Sequence, residues 1–413
     1  MKRTSLTTGN QNEIATNDSS ITIAAIKLWH IALPLRFTFK TAQGSVTNRE
    51  SLIVEVTTTT GYTSYGEVVA FTDPFYTAET LSDSKKILQT AWLPFFVGKT
   101  LAEPWDCYRL LISGASKHSS FALTEKSRLQ YPMAWAGLEN ALLHAYYGER
   151  GISTMDTLVA GSKKQQIESG VVLGDMPIPE LLQAVATHVK QGCRRIKLKL
   201  TPRDALKRVE AVRQAFPQIT LAGDANCSFP VTQAEDLVAL NAYNLKSLEE
   251  PFQVPQGQSG VAVYKDLPLT LRQAIKTPLC FDESVQSLAD LVAMHKTGWL
   301  DLLNIKVGRL GGLRETLRCL SYCRREHIGF WIGSMVESGV SKYMHVQLAA
   351  LADTWMAGDL SNMSRYFERD IITTPIEFKN GHMDVTFEAG LGTTVNRSLL
   401  QAYAIDCQEF NRE

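Results

Sequence analysis

The chain has 413 residues, more than one ordinary domain needs and enough for a barrel with a second domain. Hydrophobic residues make up 45% and charged residues 20%, the balance of a soluble globular protein. Because its 42 basic and 42 acidic residues cancel, the composition argues against a nucleic-acid partner, which would normally require a basic excess.

The N-terminal segment, residues 1–20, is polar and rich in Asn, Thr and Ser. It lacks the apolar core of a signal peptide, so a disordered tail is predicted. No stretch of the chain approaches eighteen apolar residues, so neither a transmembrane helix nor a membrane partner is expected. The seven cysteines are scattered without a CxxC pair, which favours buried, unpaired thiols and a cytoplasmic location.

Residues 21–147 predict an α+β capping domain. Alternating runs in ITIAAIKLWHIALPL and ESLIVEVTTTTGYTSYGEVVAF, with Gly61 at the turn, predict antiparallel strands. Further on, apolar residues at three- and four-residue spacing, as in MAWAGLENALLHAYY, predict helices. Residues 366–413 return to the alternating pattern, and we expect them to complete this domain.

Residues 148–365 contain eight short apolar runs, each followed by a helical stretch. The runs are ESGVVLG, RRIKLKL, ITLAGDA, LKSLEEP, PLCFDES, LDLLNIK, IGFWIGS and DTWMAGD. Strands that alternate with helices pair in parallel. Eight such units predict an α/β fold of the TIM type, a closed (β/α) barrel that forms the catalytic domain.

Ionisable residues end five consecutive predicted strands of this barrel. The strand ends read Lys197-Leu198-Lys199, Asp224-Ala225-Asn226, Glu249-Glu250-Pro251, Asp282-Glu283-Ser284 and Asn304-Ile305-Lys306. From Lys199 to Asp224, and from there to Glu249, the interval is 25 residues, and from Asp282 to Lys306 it is 24. The 33 residues between Glu249 and Asp282 require an insertion. Since the C-terminal ends of barrel strands face one mouth, these groups are predicted to form an active site.

The signs of these charges indicate what kind of reaction the site could catalyse. Three carboxylates would repel one another unless a hard divalent cation joined them, Mg²⁺ or alternatively Mn²⁺. A charged lysine cannot bind a metal, but it can act as a base if a second lysine and the cation lower its pKa. Lys197 and Lys199 point to the same face of their strand. This arrangement suits removal of a proton next to a carboxylate, so a small-molecule carboxylate is the expected substrate.

The order and spacing of these elements resemble the enolase superfamily, in its muconate-lactonising subgroup. The chain carries KxK, DxN, EEP, DES and NIK in that order. The stretches FTFKTAQGSVTNRESLIVEV, YGEVVAFTDPFYTAETL, IKVGRLGGL, GSMVESG and GDLSNMSRYFERDIITTP are similar to o-succinylbenzoate synthases and the related N-succinylamino acid racemases. The resemblance covers residues 25–400 and implies a modified enolase barrel and a homo-oligomer.

The resemblance also implies roles for individual residues. The metal ligands would be Asp224, Glu249 and Asp282. Lys199 would be the base in a dehydration, and Lys197 would lower the pKa of Lys199 and contact the substrate. Lys306 would face the other side of the substrate, either stabilising an enolate or serving as the second base of a racemase. Arg309 occupies a position where relatives with racemase activity tend to have arginine; a plain salt bridge is the alternative.

The segment after the seventh strand departs from the family. Relatives read GGMLESGIGRAHN where this chain reads GSMVESGVSKYMH, so Ser334 replaces a glycine. Ser334 and Met335 would lie near the substrate, and the departure bears on substrate shape. Each of two further residues has two possible roles. Asn226 either caps the next helix or supports the site, and Glu283 is either a structural partner or a support.

Three functions follow from these observations. The first is an o-succinylbenzoate synthase, a carbon–oxygen lyase of menaquinone biosynthesis. The second is an N-succinylamino acid racemase, and one site could carry both activities. The third is a barrel without catalytic activity that serves as a scaffold, which the intact set of strand-end groups argues against.

Overall fold

The computed structural model describes residues 20–40, 45–113 and 124–412. Apart from Ser20, the tail predicted at residues 1–20 lies outside the described residues. The strands are β1 (Ile21–Lys40), β2 (Ser45–Thr58), β3 (Thr63–Val68), β4 (Thr100–Leu101), β5 (Gln166–Glu168), β6 (Gly170–Leu173), β7 (Arg195–Lys199), β8 (Thr220–Asp224), β9 (Leu248–Glu249), β10 (Leu279–Phe281), β11 (Leu302–Ile305), β12 (Gly329–Ile332), β13 (His382–Asp384) and β14 (Ala404–Asn411).

The α-helices follow in chain order. They are α1 (Leu81–Ile87), α2 (Leu93–Phe96), α3 (Asp106–Ser113), α4 (Glu125–Gln130), α5 (Pro132–Gly148), α6 (Thr154–Leu158), α7 (Ile178–Lys190), α8 (Ala205–Ala215), α9 (Ala234–Ala239), α10 (Gly260–Asp266), α11 (Leu269–Ala274), α12 (Leu288–Lys296), α13 (Val307–Leu310), α14 (Leu313–Arg325), α15 (Gly339–Ala349) and α16 (Arg397–Ala402).

The N-terminal strands form an antiparallel sheet in the order β14-β1-β2-β3, and β4 also pairs with β1. The C-terminal strand β14 runs beside β1, with Ala25 opposite Asn411. The end of the chain thus returns to the sheet in which the described part begins. The domain boundaries at residues 147 and 366 stay a proposal.

Helix α5 joins this sheet to the rest of the molecule. All of its residues are buried, which its apolar composition permits on every face. It packs against β3 and β2 of this sheet and against α13. A Cβ at Gly66 would lie 2.0 Å from the carbonyl oxygen of Gly137, so the close approach of β3 to α5 requires glycine.

The strands β6 to β12 form a parallel sheet in sequential order, with helices in the connections. This curled sheet confirms the predicted α/β fold of the TIM-barrel type. Its register aligns the strand-end charges, because Lys199 lies opposite Asp224 and Asp224 opposite Glu249. The parallel pairing therefore brings these residues to one level at the C-terminal ends of the strands.

The eighth predicted strand, DTWMAGD, is not a regular strand in the structure, and that part of the prediction is wrong. Main-chain hydrogen bonds still join the segment to β12, from Trp355 N to Phe330 O (2.7 Å) and from Asp359 N to Ile332 O (2.9 Å). The next residue, Leu360, accepts from Gly170 N of β6 at 3.0 Å. Between its two bonds to β12 the segment advances from 355 to 359, whereas β12 advances only from 330 to 332. This mismatch prevents a continuous ladder.

Within the described ranges, no helix has both the length and the apolar character that crossing a bilayer demands. All seven cysteines are free. Five are buried, as expected for thiols used as small apolar groups, whereas Cys227 is half-buried and Cys407 is exposed.

Candidate active site

A cavity opens at the C-terminal ends of the barrel strands. It is lined by Val172, Lys197, Lys199, Asp224, Asn226, Asp282, Glu283, Lys306, Ser334, Met335, Val336, Asp359 and Tyr366 from the barrel side, and by Phe71, Phe75 and Tyr76 from the segment after β3. Nine of the eleven predicted site residues are among them. Glu249 and Arg309 lie directly behind this lining.

Lys199 ends β7 at one side of the cavity. Its ammonium nitrogen lies 2.6 Å from Asp224 Oδ2 and 2.7 Å from Asn226 Oδ1. Burial alone would raise the pKa of Asp224, but the neighbouring ammonium groups of Lys199 and Lys197 hold it below its ordinary value. The carboxylate is therefore ionised at neutral pH.

Asn226 has a left-handed backbone, with φ of 43°. Its main-chain N–H donates to Asp224 Oδ1 at 3.0 Å, and its side-chain Nδ2 donates to Glu283 Oε1 at 3.3 Å. The helical turns that follow begin after Pro230 and Gln233, so Asn226 does not cap a helix. The capping interpretation is therefore wrong, and the role of Asn226 in supporting the site stays a proposal.

Lys197 is buried, and three carboxylates surround its ammonium group. Its ammonium nitrogen lies 2.8 Å from Glu249 Oε2, 2.7 Å from Asp359 Oδ2 and 3.4 Å from Asp224 Oδ2. Although burial opposes it, the charges of Asp359, Glu249 and Asp224 raise the pKa of Lys197 well above its ordinary value. Burial, followed by the charge of Asp224, raises the pKa of Glu249 to about 8, although the ammonium group of Lys197 opposes this shift.

Lys306 approaches the cavity from β11, with three strands between it and β7. Its ammonium nitrogen lies 2.6 Å from Asp282 Oδ2 and 3.2 Å from the hydroxyl of Tyr76. Burial would lower the pKa of Lys306, but the charge of Asp282 raises it above its ordinary value. Lys199 and Lys306 thus reach one cavity from different sides.

Arg309 lies behind Asp282 and is fully buried. Its guanidinium forms an ion pair with Asp282, and its Nε donates to the carbonyl of Val285 at 2.9 Å. A further N–H of Arg309 lies 3.4 Å from the hydroxyl of Tyr76. Arg309 is therefore more than a surface salt bridge, because it contacts two residues that line the cavity.

The two glutamates that follow the ligand candidates differ in environment. Glu250 accepts hydrogen bonds from the main-chain N–H groups of Asp282 and Ser284 and from the hydroxyl of Ser284, at 2.7–2.8 Å. It is a structural partner. Glu283 lines the cavity instead, and within the described residues its buried Oε2 has no hydrogen-bond partner. Burial and the charge of Glu250 raise the pKa of Glu283 well above its ordinary value.

As the side chains stand, no three His, Cys, Asp or Glu residues in the described ranges form a group that could hold an ion. The lysine ammonium groups explain this arrangement, because Lys197 lies between the carboxylates of Asp224 and Glu249, and Lys306 pairs with Asp282. The structure thus brings the predicted residues to one place, and the metal-binding role of the three acids stays a proposal.

Several cavity residues escaped the sequence prediction. Asp359 is the last residue of the eighth apolar run, DTWMAGD, so the rule applied to the other strand ends would have found it. Tyr366 and Val336 carry no comparable signal. Phe71, Phe75 and Tyr76 lie in the FTDPFY stretch outside the barrel, and only an aromatic cluster in a predicted loop points to them.

Three comparisons with known proteins, by family model, by sequence and by structure, agree with one another. The model of the Enolase C-terminal domain-like family matches residues 180–399. An o-succinylbenzoate synthase of Bacillus subtilis (strain 168) is 33% identical over 95% of this chain and 99% of that protein. An N-succinylamino acid racemase of Thermus thermophilus is 32% identical over 90% of this chain and 94% of that protein. The crystal structure of an enolase superfamily member from Listeria innocua matches with a TM-score of 0.82 and 30% identity, covering 95% of this chain and 99% of that chain.

Proposed function

This chain belongs to the enolase superfamily, and on that premise we propose that it is a metal-dependent o-succinylbenzoate synthase. It dehydrates 2-succinyl-6-hydroxy-2,4-cyclohexadiene-1-carboxylate to 2-succinylbenzoate, a step of menaquinone biosynthesis. The proton on carbon 1, next to the carboxylate, and the hydroxyl on carbon 6 leave together as water. The relatives named o-succinylbenzoate synthase, which match nearly the whole chain, support this reaction.

The observation that carries the proposal is the placement of Lys199 and Lys306 around one carboxylate-rich cavity. Lys199 removes the proton from carbon 1 and returns it to the departing hydroxyl on the same face, a syn elimination. Lys306 holds a positive charge against the substrate as negative charge develops on its carboxylate. Phe71, Phe75 and Tyr76 line the cavity from the segment after β3, and their aromatic side chains would help to exclude water.

Asp224, Glu249 and Asp282 are the residues that would hold the metal, Mg²⁺ or alternatively Mn²⁺. The donor set fits, because hard divalent cations prefer carboxylate oxygens. Burial and the charge of Asp224 raise the pKa of Glu249 to about 8, and within the described residues one buried oxygen of Glu283 has no hydrogen-bond partner. A bound cation would stabilise the ionised form of such buried acids. When bound, the cation would compensate the charge that develops on the substrate carboxylate.

An N-succinylamino acid racemase is the second candidate, in which Lys199 and Lys306 exchange protons on opposite faces of the α-carbon. The contacts of Arg309 with Asp282 and Tyr76 favour it, because they place a fixed cation beside Lys306. The racemase relatives support the same activity. The substrate in either case is a small carboxylate, and the expected homo-oligomer and cytoplasmic location stay predictions.

The test is to assay purified protein with Mg²⁺ on both substrates, following dehydration by absorbance and racemisation by α-proton exchange in D₂O. We expect dehydration by the wild type and its loss in Lys199→Ala. Loss of exchange with retained dehydration in Arg309→Gln would assign the second activity to the same site. A wild type that turns over neither substrate contradicts the proposal.

A further inference from the structure

A buried group of polar side chains lies behind the cavity wall that follows β12. This wall cluster consists of Ser334, Glu337, Lys342 and His345. Glu337, Lys342 and His345 are all 0% exposed. The ammonium of Lys342 donates to Ser334 Oγ at 2.9 Å and lies 3.9 Å from Glu337 Oε1. Burial would raise the pKa of Glu337, but Lys342 and a hydrogen bond from His345 hold it below its ordinary value.

The hydroxyl of Ser334 is used within the wall. It donates to Glu337 Oε1 at 3.1 Å and accepts from Lys342 Nζ and, at 3.4 Å, from the main-chain N–H of Val336. A hydroxyl has one donor and two acceptor sites, so none is left for a ligand in the cavity. Ser334 therefore fixes the shape of the wall and does not bind substrate by its hydroxyl.

The wall holds a strained backbone. Val336 has φ of 56°, a left-handed conformation that a β-branched residue avoids. Arg49 Nε donates to the carbonyl of Val336 at 3.2 Å, and the carboxylate of Glu337 accepts from the main-chain N–H of Met335. Such a conformation persists only where the surroundings overdetermine it. The wall cluster and Arg49 provide those contacts.

The wall cluster reaches Lys306 by two routes. A Cβ at Gly333 would lie 2.7 Å from Lys306 Cε, so the wall packs directly on the stem of this lysine. His345 Nδ1 lies 3.2 Å from Glu337 Oε1, and its Nε2 accepts from the main-chain N–H of Val307 at 3.3 Å. The contact at Gly333 therefore holds the side chain of Lys306. The hydrogen bond from Val307, the next residue in the chain, holds its backbone.

We propose that Lys342 is a positioning residue for Lys306, an inference that rests on the proposed function. Lys342 compensates the buried charge of Glu337, and Glu337 in turn holds Ser334, Met335 and His345 in place. Without the ammonium, a buried carboxylate would lose its nearest cation, which is costly. The wall then relaxes, and Lys306 loses the contacts that fix its position in the cavity.

The test compares Lys342→Met with Lys342→Arg and with Gln347→Met. Gln347 lies on the same helix α15, is also buried, and bonds to Thr386 O, away from the cavity. For Lys342→Met we expect kcat of dehydration to fall at least about tenfold with KM changed less than about threefold, because the group that moves acts in the transition state. Lys342→Arg keeps the charge and recovers most of kcat, and Gln347→Met behaves as the wild type.

Equal kcat values in Lys342→Met and Gln347→Met, or an equal loss in all three variants, would overturn the proposal. If Lys342→Met does not fold, Ser334→Ala removes one link of the wall cluster alone; a lower kcat supports the proposal and an unchanged kcat contradicts it. If the wild type proves inactive, the proposed function fails by itself. In that case the crystal structure of Lys342→Met tests the positioning role of Lys342. The proposal requires that Val336 leaves the left-handed region and that Lys306 moves away from Asp282.

Discussion

The ammonium nitrogen of Lys197 lies 2.7 Å from the carboxylate of Asp359, and both side chains are buried. Asp359 also pairs with Arg195, so one acid balances two buried cations. We expect Asp359→Asn to destabilise the protein by about 3 kcal/mol, since it leaves buried charge uncompensated. Urea unfolding measures this loss.

The same variant should lower activity, because it removes a carboxylate that lies 2.7 Å from the ammonium nitrogen of Lys197, a residue that lines the cavity. Asp353→Asn is the matched control, since Asp353 pairs with Arg324 on the surface. We expect less than about 1 kcal/mol for the control. Equal stability of the two variants would show that Asp359 is not needed to balance the two cations.

Lys199→Ala should lower kcat of dehydration by about a thousandfold or more, because a positioned base contributes about two to four orders of magnitude. Lys246→Ala is the control, since Lys246 is exposed and does not line the cavity. A Lys199→Ala enzyme that retains more than about a tenth of wild-type kcat would rule out Lys199 as the base.

Gly333→Ala tests the packing of the wall on Lys306. The new Cβ would lie 2.2 Å from Asn304 Oδ1 and 2.7 Å from Lys306 Cε, so one of these side chains must move. We expect kcat to fall at least about tenfold, because a displacement near 1 Å can cost about a hundredfold. Circular dichroism checks that the fold is retained; full activity in a folded variant would refute this packing.

His144 should make the protein acid-sensitive. Burial lowers its pKa to about 4, from 6.5 for an exposed histidine. Between these values the unfolded chain binds a proton that the folded protein does not, so stability falls as the pH drops from 6.5 towards 4. We expect a loss of about 2 kcal/mol between pH 7 and 5 from this residue.

His144→Gln removes that contribution and leaves every other titrating group in place. The difference in unfolding free energy between wild type and variant should therefore shrink by about 2 kcal/mol from pH 7 to pH 5. Urea denaturation at both values measures it. A difference that does not change with pH would mean that His144 titrates normally in the folded protein.

Local sequence patterns predicted the parallel barrel and the position of the charged residues at one end of its strands. Both depend on the regular spacing of the β/α units along the chain. They failed at DTWMAGD, since its hydrogen-bond mismatch with β12 is a tertiary property. Tyr76 was missed for a related reason. Its contact with Lys306 joins segments far apart in the chain, and no local pattern reports such a contact. Nor does the sequence show that the lysines and acids pair with one another.

The most direct test of the proposed metal site is a calorimetric titration of Mg²⁺ into the wild type and into Asp224→Asn, Glu249→Gln and Asp282→Asn. We expect one site in the wild type and at least about tenfold weaker binding in each variant, because each removes one carboxylate from a shared ion. A wild type that binds no Mg²⁺, or variants that bind it as tightly as the wild type, would contradict the proposal that these three acids form a metal site.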